Sequence, residues 1–163
     1  MMYIPLVCAI VAQIYKECGG ARKQIPRTMT QLYTALCRSL LRRYLLENSL
    51  LNSDDRMPTD FKDLPQDVYE HLCLLSKIAY DGILSDKLVF YKHELPEGFE
   101  HMGFMNECRD MYVDRGMESS YNFLHLSLQE YLAAWHISEL PMAKQQFYFE
   151  WELCMPRIFR AGV

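Results

Sequence analysis

The chain has 163 residues, half of them hydrophobic and 23% charged, with 7 Gly and 7 Pro. That balance belongs to folded proteins and excludes the disordered and collagen-like classes, and at this length roughly 70% of the unfolded surface is buried on folding, so a core forms without disulfides or metal. The net charge of −4 leaves no global basic field of the kind that a nucleic-acid or anionic-membrane partner needs.

Tyr3 to Glu17 reads as a buried helix, with Pro5 in its first turn, where a missing N–H is harmless, and Gly19-Gly20 as its stop. The segment has the length of a signal-peptide core but lacks a basic region before it and a small-residue cleavage site after it. It is also too short to span a bilayer. Being apolar almost all round, it wants protein on several sides, so the opening reads as the middle of something larger. After Arg22, Lys23 and Arg27 comes Thr28-x-x-Gln31, a capping box that starts a helix ending near Asn48. Leu32, Tyr33, Leu36, Cys37, Leu40, Leu41, Tyr44 and Leu45 form its apolar stripe at steps of three and four. Asn52 to Asp63, rich in Asp, Asn, Ser and Pro, is the best linker and the expected subdomain boundary.

Pro65 opens a further helix whose apolar positions Val68, Leu72, Leu75, Ile78 and Ala79 run to a stop at Gly82. From Ile83 to Met117 the pattern breaks up. Leu88 to Tyr91, Phe104-Met105 and Phe123-Leu124 are candidate short strands, and the low Val and Ile content argues against a large sheet. Ser127-x-x-Glu130 is a second capping box, starting a helix that carries Leu128, Tyr131, Leu132 and Trp135 on one face and ends at Pro141. The tail with Phe147 and Trp151 is apolar enough to be helical and packed.

Phosphate-binding loops of the G-x-x-x-x-G-K-[ST] and G-x-G-x-x-G types, the H-E-x-x-H zinc helix and the G-x-S-x-G elbow are all missing from this sequence, so it holds no complete nucleotide-hydrolysing site. The six cysteines, Cys8, Cys18, Cys37, Cys73, Cys108 and Cys154, stand at long irregular spacings without a C-x-x-C pair, which reads as reduced thiols. His71-x-Cys73 and the pair His101 and Cys108 are the nearest approach to a metal cluster, but without paired ligand steps they read as core thiols and surface histidines. A Cys–His nucleophile stays open because such partners meet in space, although nothing in the sequence favours one. Arg38, Arg42 and Arg43 read as a solvated helix face, with an acidic partner as the alternative. The sharper site is His125. It stands just before the expected cap at Ser127, where a helix N-terminus favours an anion and an imidazole can donate to a phosphate oxygen. The competing reading is a hydrogen-bonded structural histidine between Leu124 and Leu126.

The stretch YNFLHLSLQEYLAAW (121–135) resembles the F-x-H-x-[ST]-x-Q-E-[FY]-x-A-A segment near the end of the winged-helix domain in NOD-like receptors, the cytosolic NACHT-domain NTPases. IPRTMTQLYTALCRSLLRRY (25–44) is similar to the L-P-x-T-x-T-x-L-Y segment of the helical domain after the NACHT nucleotide-binding core, and YIPLVCAIVAQIY (3–15) to the P-L-[FVL]-C-x-[IL] helix before it. Leu74 to Leu84 resembles the L-x-x-L-A-x-x-G-[IL] helix, and Glu94-Leu95 and Met102-Gly103-Phe104 resemble later pieces. The likeness covers nearly the whole chain, and its specificity lies in three motifs standing in family order.

The resemblance implies a mainly α chain: a helical subdomain over 1–51, a winged-helix subdomain with short strands over 59–140, and an incomplete second helical segment over 141–163. It implies a fragment or shortened member of a fish-type or invertebrate receptor, cytoplasmic, without its Walker motifs, leucine-rich repeats or effector domain. In the family, the residues at His125 and Pro5 contact the terminal phosphate and the adenine of ADP. Carried over, they form two ends of a nucleotide lid, with ADP or ATP held only together with a nucleotide-binding core and no cofactor for the isolated chain. The partners implied are that core, the leucine-rich repeats and a receptor oligomer, and no catalysis is expected of this segment. The alternative is a standalone helical adaptor that docks a partner without nucleotide dependence; a Cys–His hydrolase is the third and weakest reading.

Overall fold

A computed structural model of the chain describes residues 12, 26–52, 54–108 and 119–141. The expected helix over Tyr3–Glu17, with Pro5, and the tail with Phe147 and Trp151 lie outside the described residues.

Helix α1 spans Met29–Glu47. Thr28 caps it as expected, its Oγ1 accepting the Gln31 N–H at 3.2 Å, whereas the Gln31 side chain reciprocates one residue early and accepts the N–H of Arg27 at 2.9 Å. The stripe read from spacing is the buried face: Leu32, Tyr33, Cys37, Leu41 and Leu45 are buried, and Leu36, Leu40 and Tyr44 pack against them. Arg38 is no simple solvated residue. Its guanidinium donates to the carbonyls of Thr59 at 2.7 Å and Met57 at 3.2 Å, tying the linker to α1. The linker then makes a short 3-10 turn, Phe61–Asp63, capped by Asp60.

Helix α2, Gln66–Leu84, begins one residue after Pro65. It buries Val68, Leu72, Leu75 and Ala79, the spacing expected, and it runs through Gly82 to Leu84, with Ser85 as its C-cap and Asp86 next in the left-handed region. The stop expected at Gly82 is therefore corrected. That glycine is a packing position: a Cβ there would lie 2.6 Å from Nε2 of Gln129, 2.7 Å from Cζ of Phe90 and 3.1 Å from the carbonyl oxygen of Lys87.

The strands are short and displaced from their expected limits. β1 is Phe90–Tyr91, β2 is Met105–Cys108 and β3 is Ser120–Phe123, so Leu88-Val89, Phe104 and Leu124 fall outside them. They form an antiparallel sheet in the order β1-β3-β2, with Phe90 opposite Tyr121, Met105 opposite Phe123 and Glu107 opposite Tyr121. Aromatic edges seal its inner face: Phe90 meets Phe123 at 5.7 Å and Phe99 meets Tyr121 at 4.9 Å between ring centroids, both near perpendicular. Such pairs add about 0.5–1.5 kcal/mol to the area they bury.

Helix α3 spans Leu126–Glu139 and stops at Leu140, just before Pro141. Among the described residues, buried side chains of α1, α2, α3 and the sheet join one hydrophobic cluster, with Leu41, Leu72, Leu75, Leu128 and Leu132 essentially inaccessible to solvent. The architecture is mainly α with one small antiparallel sheet. Among the described residues, no helix is long and apolar enough to cross a membrane.

Candidate functional site

The start of α3 differs from the reading of its sequence. Ser127 is not the cap: His125 is, in extended conformation at φ −159° and ψ 149°, with Leu126 as the first helical residue. Nδ1 of His125 accepts the N–H of Ser127 at 3.2 Å and lies 2.7 Å from the Ser127 hydroxyl. The carbonyl of His125 accepts from the N–H groups of Leu128 at 3.0 Å and Gln129 at 3.3 Å. Glu130, the other half of the expected capping box, is exposed. A histidine serves here as Ser, Thr or Asn usually do, with a ring nitrogen in place of a side-chain oxygen.

What displaces Ser127 from the cap is a partner on another helix. Its hydroxyl is buried and bonds to the hydroxyl of Tyr33, which α1 delivers from its buried face. Next to it, Thr34 bonds to the hydroxyl of Tyr131 at 2.9 Å, and the Tyr33 and Tyr131 rings stack at 5.8 Å. Burial pushes the Tyr131 hydroxyl upward in pKa, which keeps it neutral and able to donate. The imidazole therefore closes a short chain of hydroxyls between α1 and α3. The ring is half-buried, flanked by the exposed side chains of Leu124 and Leu126.

One turn on, Gln129 is almost completely buried and donates from Nε2 to the Lys87 carbonyl at 3.1 Å, beside Gly82. Leu124 N–H donates to the Phe104 carbonyl at 3.0 Å. These bonds, with the β3 ladder, hold the α3 N-terminus to the sheet and to the end of α2. Tyr33 and Gln129 were not among the sequence-derived site residues. Tyr33 reads there as one more apolar-stripe position, and Gln129 enters only as the Q of the F-x-H-x-[ST]-x-Q-E resemblance. Pro5, the other expected nucleotide contact, lies outside the described residues.

Cys8, Cys18 and Cys154 lie outside the described residues, whereas His71 and Cys108 have structural partners. His71 faces carbonyl oxygens with both ring nitrogens, that of Asp67 at 2.6 Å and that of Glu97 at 3.2 Å. Cys108 donates to Oδ1 of Asn122 at 3.3 Å. Burial pushes the thiols of Cys37 and Cys73 upward, the reverse of what a nucleophile needs. Among the described residues no group of three His, Cys, Asp or Glu is placed to hold a metal ion.

No protein-family model matches the chain. Curated relatives do. The human NACHT, LRR and PYD domains-containing protein 12 is 32% identical over 141 residues, covering 82% of this chain and 12% of that protein. The mouse NACHT, LRR and PYD domains-containing protein 4B is 30% identical over 158 residues, covering 89% of the chain and 16% of that protein. Human nucleotide-binding oligomerization domain-containing protein 1 is 25% identical over 145 residues, or 82% of the chain and 15% of that protein. These matches identify the chain as part of a NOD-like receptor of the NACHT family. It spans roughly one-eighth to one-sixth of the length of these relatives.

Proposed function

We propose that the chain is a non-catalytic regulatory segment of a cytoplasmic, innate-immune NACHT NTPase, acting through contacts to ADP or ATP that a separate nucleotide-binding core holds. In this reading residues 1–51 are the helical subdomain that follows the core, 59–140 the winged-helix subdomain and 141–163 the start of a second helical domain. The partners are that core and the leucine-rich repeats of the same receptor, and a receptor oligomer once the switch opens. The observation that carries the reading is a half-buried imidazole at the N-terminus of α3, in a chain whose relatives bear NACHT and nucleotide-binding in their names. A helix N-terminus favours negative charge, and a ring N–H beside it adds a directed donor for a phosphate oxygen.

A ligand biases a two-state switch only by its differential contacts with the two states. His125 supplies one such contact here, present when core and segment are closed around ADP and lost when they separate. Pro5 supplies a second, on the adenine. The phosphate-cradling loop and the Mg²⁺ site belong to the core, so the isolated chain has little affinity for nucleotide.

Titrating ADP into the chain alone, and into the chain mixed with a NACHT core, tests this. Binding that the chain tightens only in the mixture, and that His125→Asn weakens, supports it. Equal affinity of the core with and without the chain refutes it. Capture of a protein partner with no nucleotide dependence identifies the helical-adaptor alternative instead.

A further inference from the structure

We infer that His71 is a proton-operated clasp: as an imidazolium it ties the first turn of α2 to the chain turn just before Phe99, and as a neutral ring it releases that turn. Both ring nitrogens face groups that can only accept. Nδ1 lies 2.6 Å from the carbonyl oxygen of Asp67, and Nε2 lies 3.2 Å from that of Glu97. A backbone carbonyl has no proton to give, so each bond needs one on the ring nitrogen that faces it. The neutral imidazole carries a single such proton and the cation carries two. Either neutral tautomer therefore makes one bond and turns a lone pair on the other carbonyl, whereas the imidazolium satisfies both.

The two carbonyls hold the ring unequally. Asp67 is closer and stands one turn back on the same helix, so a single remaining proton stays on Nδ1 and the bond to Glu97 is the one that breaks. Glu97 sits in a reverse turn: the N–H of Phe99 donates to the Pro96 carbonyl at 3.4 Å, and Gly98, at φ 81° and ψ −3°, has the left-handed conformation that a type II turn needs at its third residue. On either side of the turn Leu95 and Phe99 are buried, Phe99 against Tyr121 of β3. The clasp thus braces the segment between β1 and β2 against α2.

The ionisable groups around it are accounted for. On α2, Asp67 and Glu70 are exposed, and Glu70 accepts from the Gln66 amide at 2.7 Å. On the facing segment Glu97 is exposed, Glu94 is paired with Lys87, and Glu100 lies 3.6 Å from Lys92; His93 and His101 flank this stretch. Among the described residues no carboxylate, lysine or arginine side chain is bonded to the His71 ring, whose partners are the two carbonyls. The ring also stands beyond the first turn of α2, where the positive end of the helix would oppose a cation. Histidine changes charge between about pH 5 and pH 8, so the clasp is closed at the acid end of that window and open at the alkaline end.

The test is NMR of the full chain labelled with ¹⁵N and ¹³C, the His71 ring signals being identified by their loss in His71→Gln. At about pH 5.5 both ring nitrogens show the shifts of protonated nitrogens. On raising the pH to about 8, Nε2 moves to the shift of an unprotonated nitrogen while Nδ1 stays protonated, and the carbonyl carbon of Glu97 and the amide of Gly98 move with the same midpoint. In His71→Gln this coupled movement is lost, and any part of it that His93 or His101 contributes persists. Should the variant not fold, the native titration decides alone, with the ring assigned from its own backbone signals. Titration of Nε2 without movement at Glu97 overturns the inference, as does an Nδ1 that loses its proton first. An undiminished Glu97 movement in folded His71→Gln overturns it equally. The clasp is independent of the proposed nucleotide contact at His125, and neither outcome alters that reading.

Discussion

Replacing Gly82 with alanine sets two effects of opposite sign against each other. In a helix interior alanine is favoured over glycine by about 1 kcal/mol, so propensity alone makes the variant more stable. The surroundings oppose it on three sides: the new Cβ would stand 2.6 Å from Nε2 of Gln129, 2.7 Å from Cζ of Phe90 and 3.1 Å from the Lys87 carbonyl oxygen. The Gln129 amide is the softest of these neighbours, but it is buried and already donates to that same carbonyl at 3.1 Å. Phe90 is wedged against Phe123, and the carbonyl is backbone. Overpacking of this kind costs about 1–3 kcal/mol. Displacing the Gln129 amide from its acceptor adds about 1–3 kcal/mol for a buried polar group left unsatisfied. Steric and polar losses together outweigh propensity, for a net destabilisation of about 1–5 kcal/mol and a Tm lower by about 2–20 °C in a chain of this size. Urea unfolding followed by far-UV circular dichroism measures the difference, and Ala134→Gly on the exposed side of α3 calibrates the propensity effect alone. A Gly82→Ala chain as stable as the native one, with Ala134→Gly losing its expected ~1 kcal/mol, refutes the close-packing account of this glycine.

The same reasoning extends to other positions. His125→Leu in a full-length parent receptor is expected to raise basal signalling, but it also removes the α3 cap, worth about 0.5–2 kcal/mol. His125→Asn keeps a capping side chain, so raised basal output at normal expression in both variants isolates the ring contact, and a rise confined to the leucine variant refutes it. In native labelling with a thiol reagent followed by mass mapping, Cys73 and Cys108 react well before Cys37, whose thiol is buried and pushed up in pKa; labelling of Cys37 as fast as Cys108 contradicts the burial. Burial lowers the pKa of His136, against the raising influence of Asp81, while Tyr80 and Ser76 face its ring. The unfolded chain therefore takes up the proton first as pH falls. The contribution of His136 to stability is full above its unfolded value near 6.5 and is lost as pH drops through the folded value. Urea midpoints between pH 8 and pH 5 should fall less steeply in His136→Gln, and an identical slope removes this role.

The helices were legible because their signals are local. Thr28 with Gln31, and Leu32, Tyr33, Cys37, Leu41 and Leu45 at steps of three and four, state α1 without reference to the rest of the chain. The strands were not, since β1 has only two residues and owes its limits to pairing with β3, thirty residues away. Gly82 was misread for a related reason. Near the end of an apolar helix a glycine signals a stop, yet here the helix continues because Gln129 and Phe90 occupy the space a side chain would fill.

The choice of cap at α3 draws the boundary most sharply. Composition and periodicity suffice for a mainly α chain with a buried stripe on each helix, and the ordered motifs suffice for kinship with NACHT receptors, because such patterns reside in neighbouring residues. Whether Ser127 or His125 closes the helix cannot be decided among neighbours, since serine is the better local choice. Tyr33 decides it from α1 by engaging the serine hydroxyl, which leaves the imidazole to take the backbone N–H. A hydrogen bond between residues 94 apart exists only once the core has brought the two helices together.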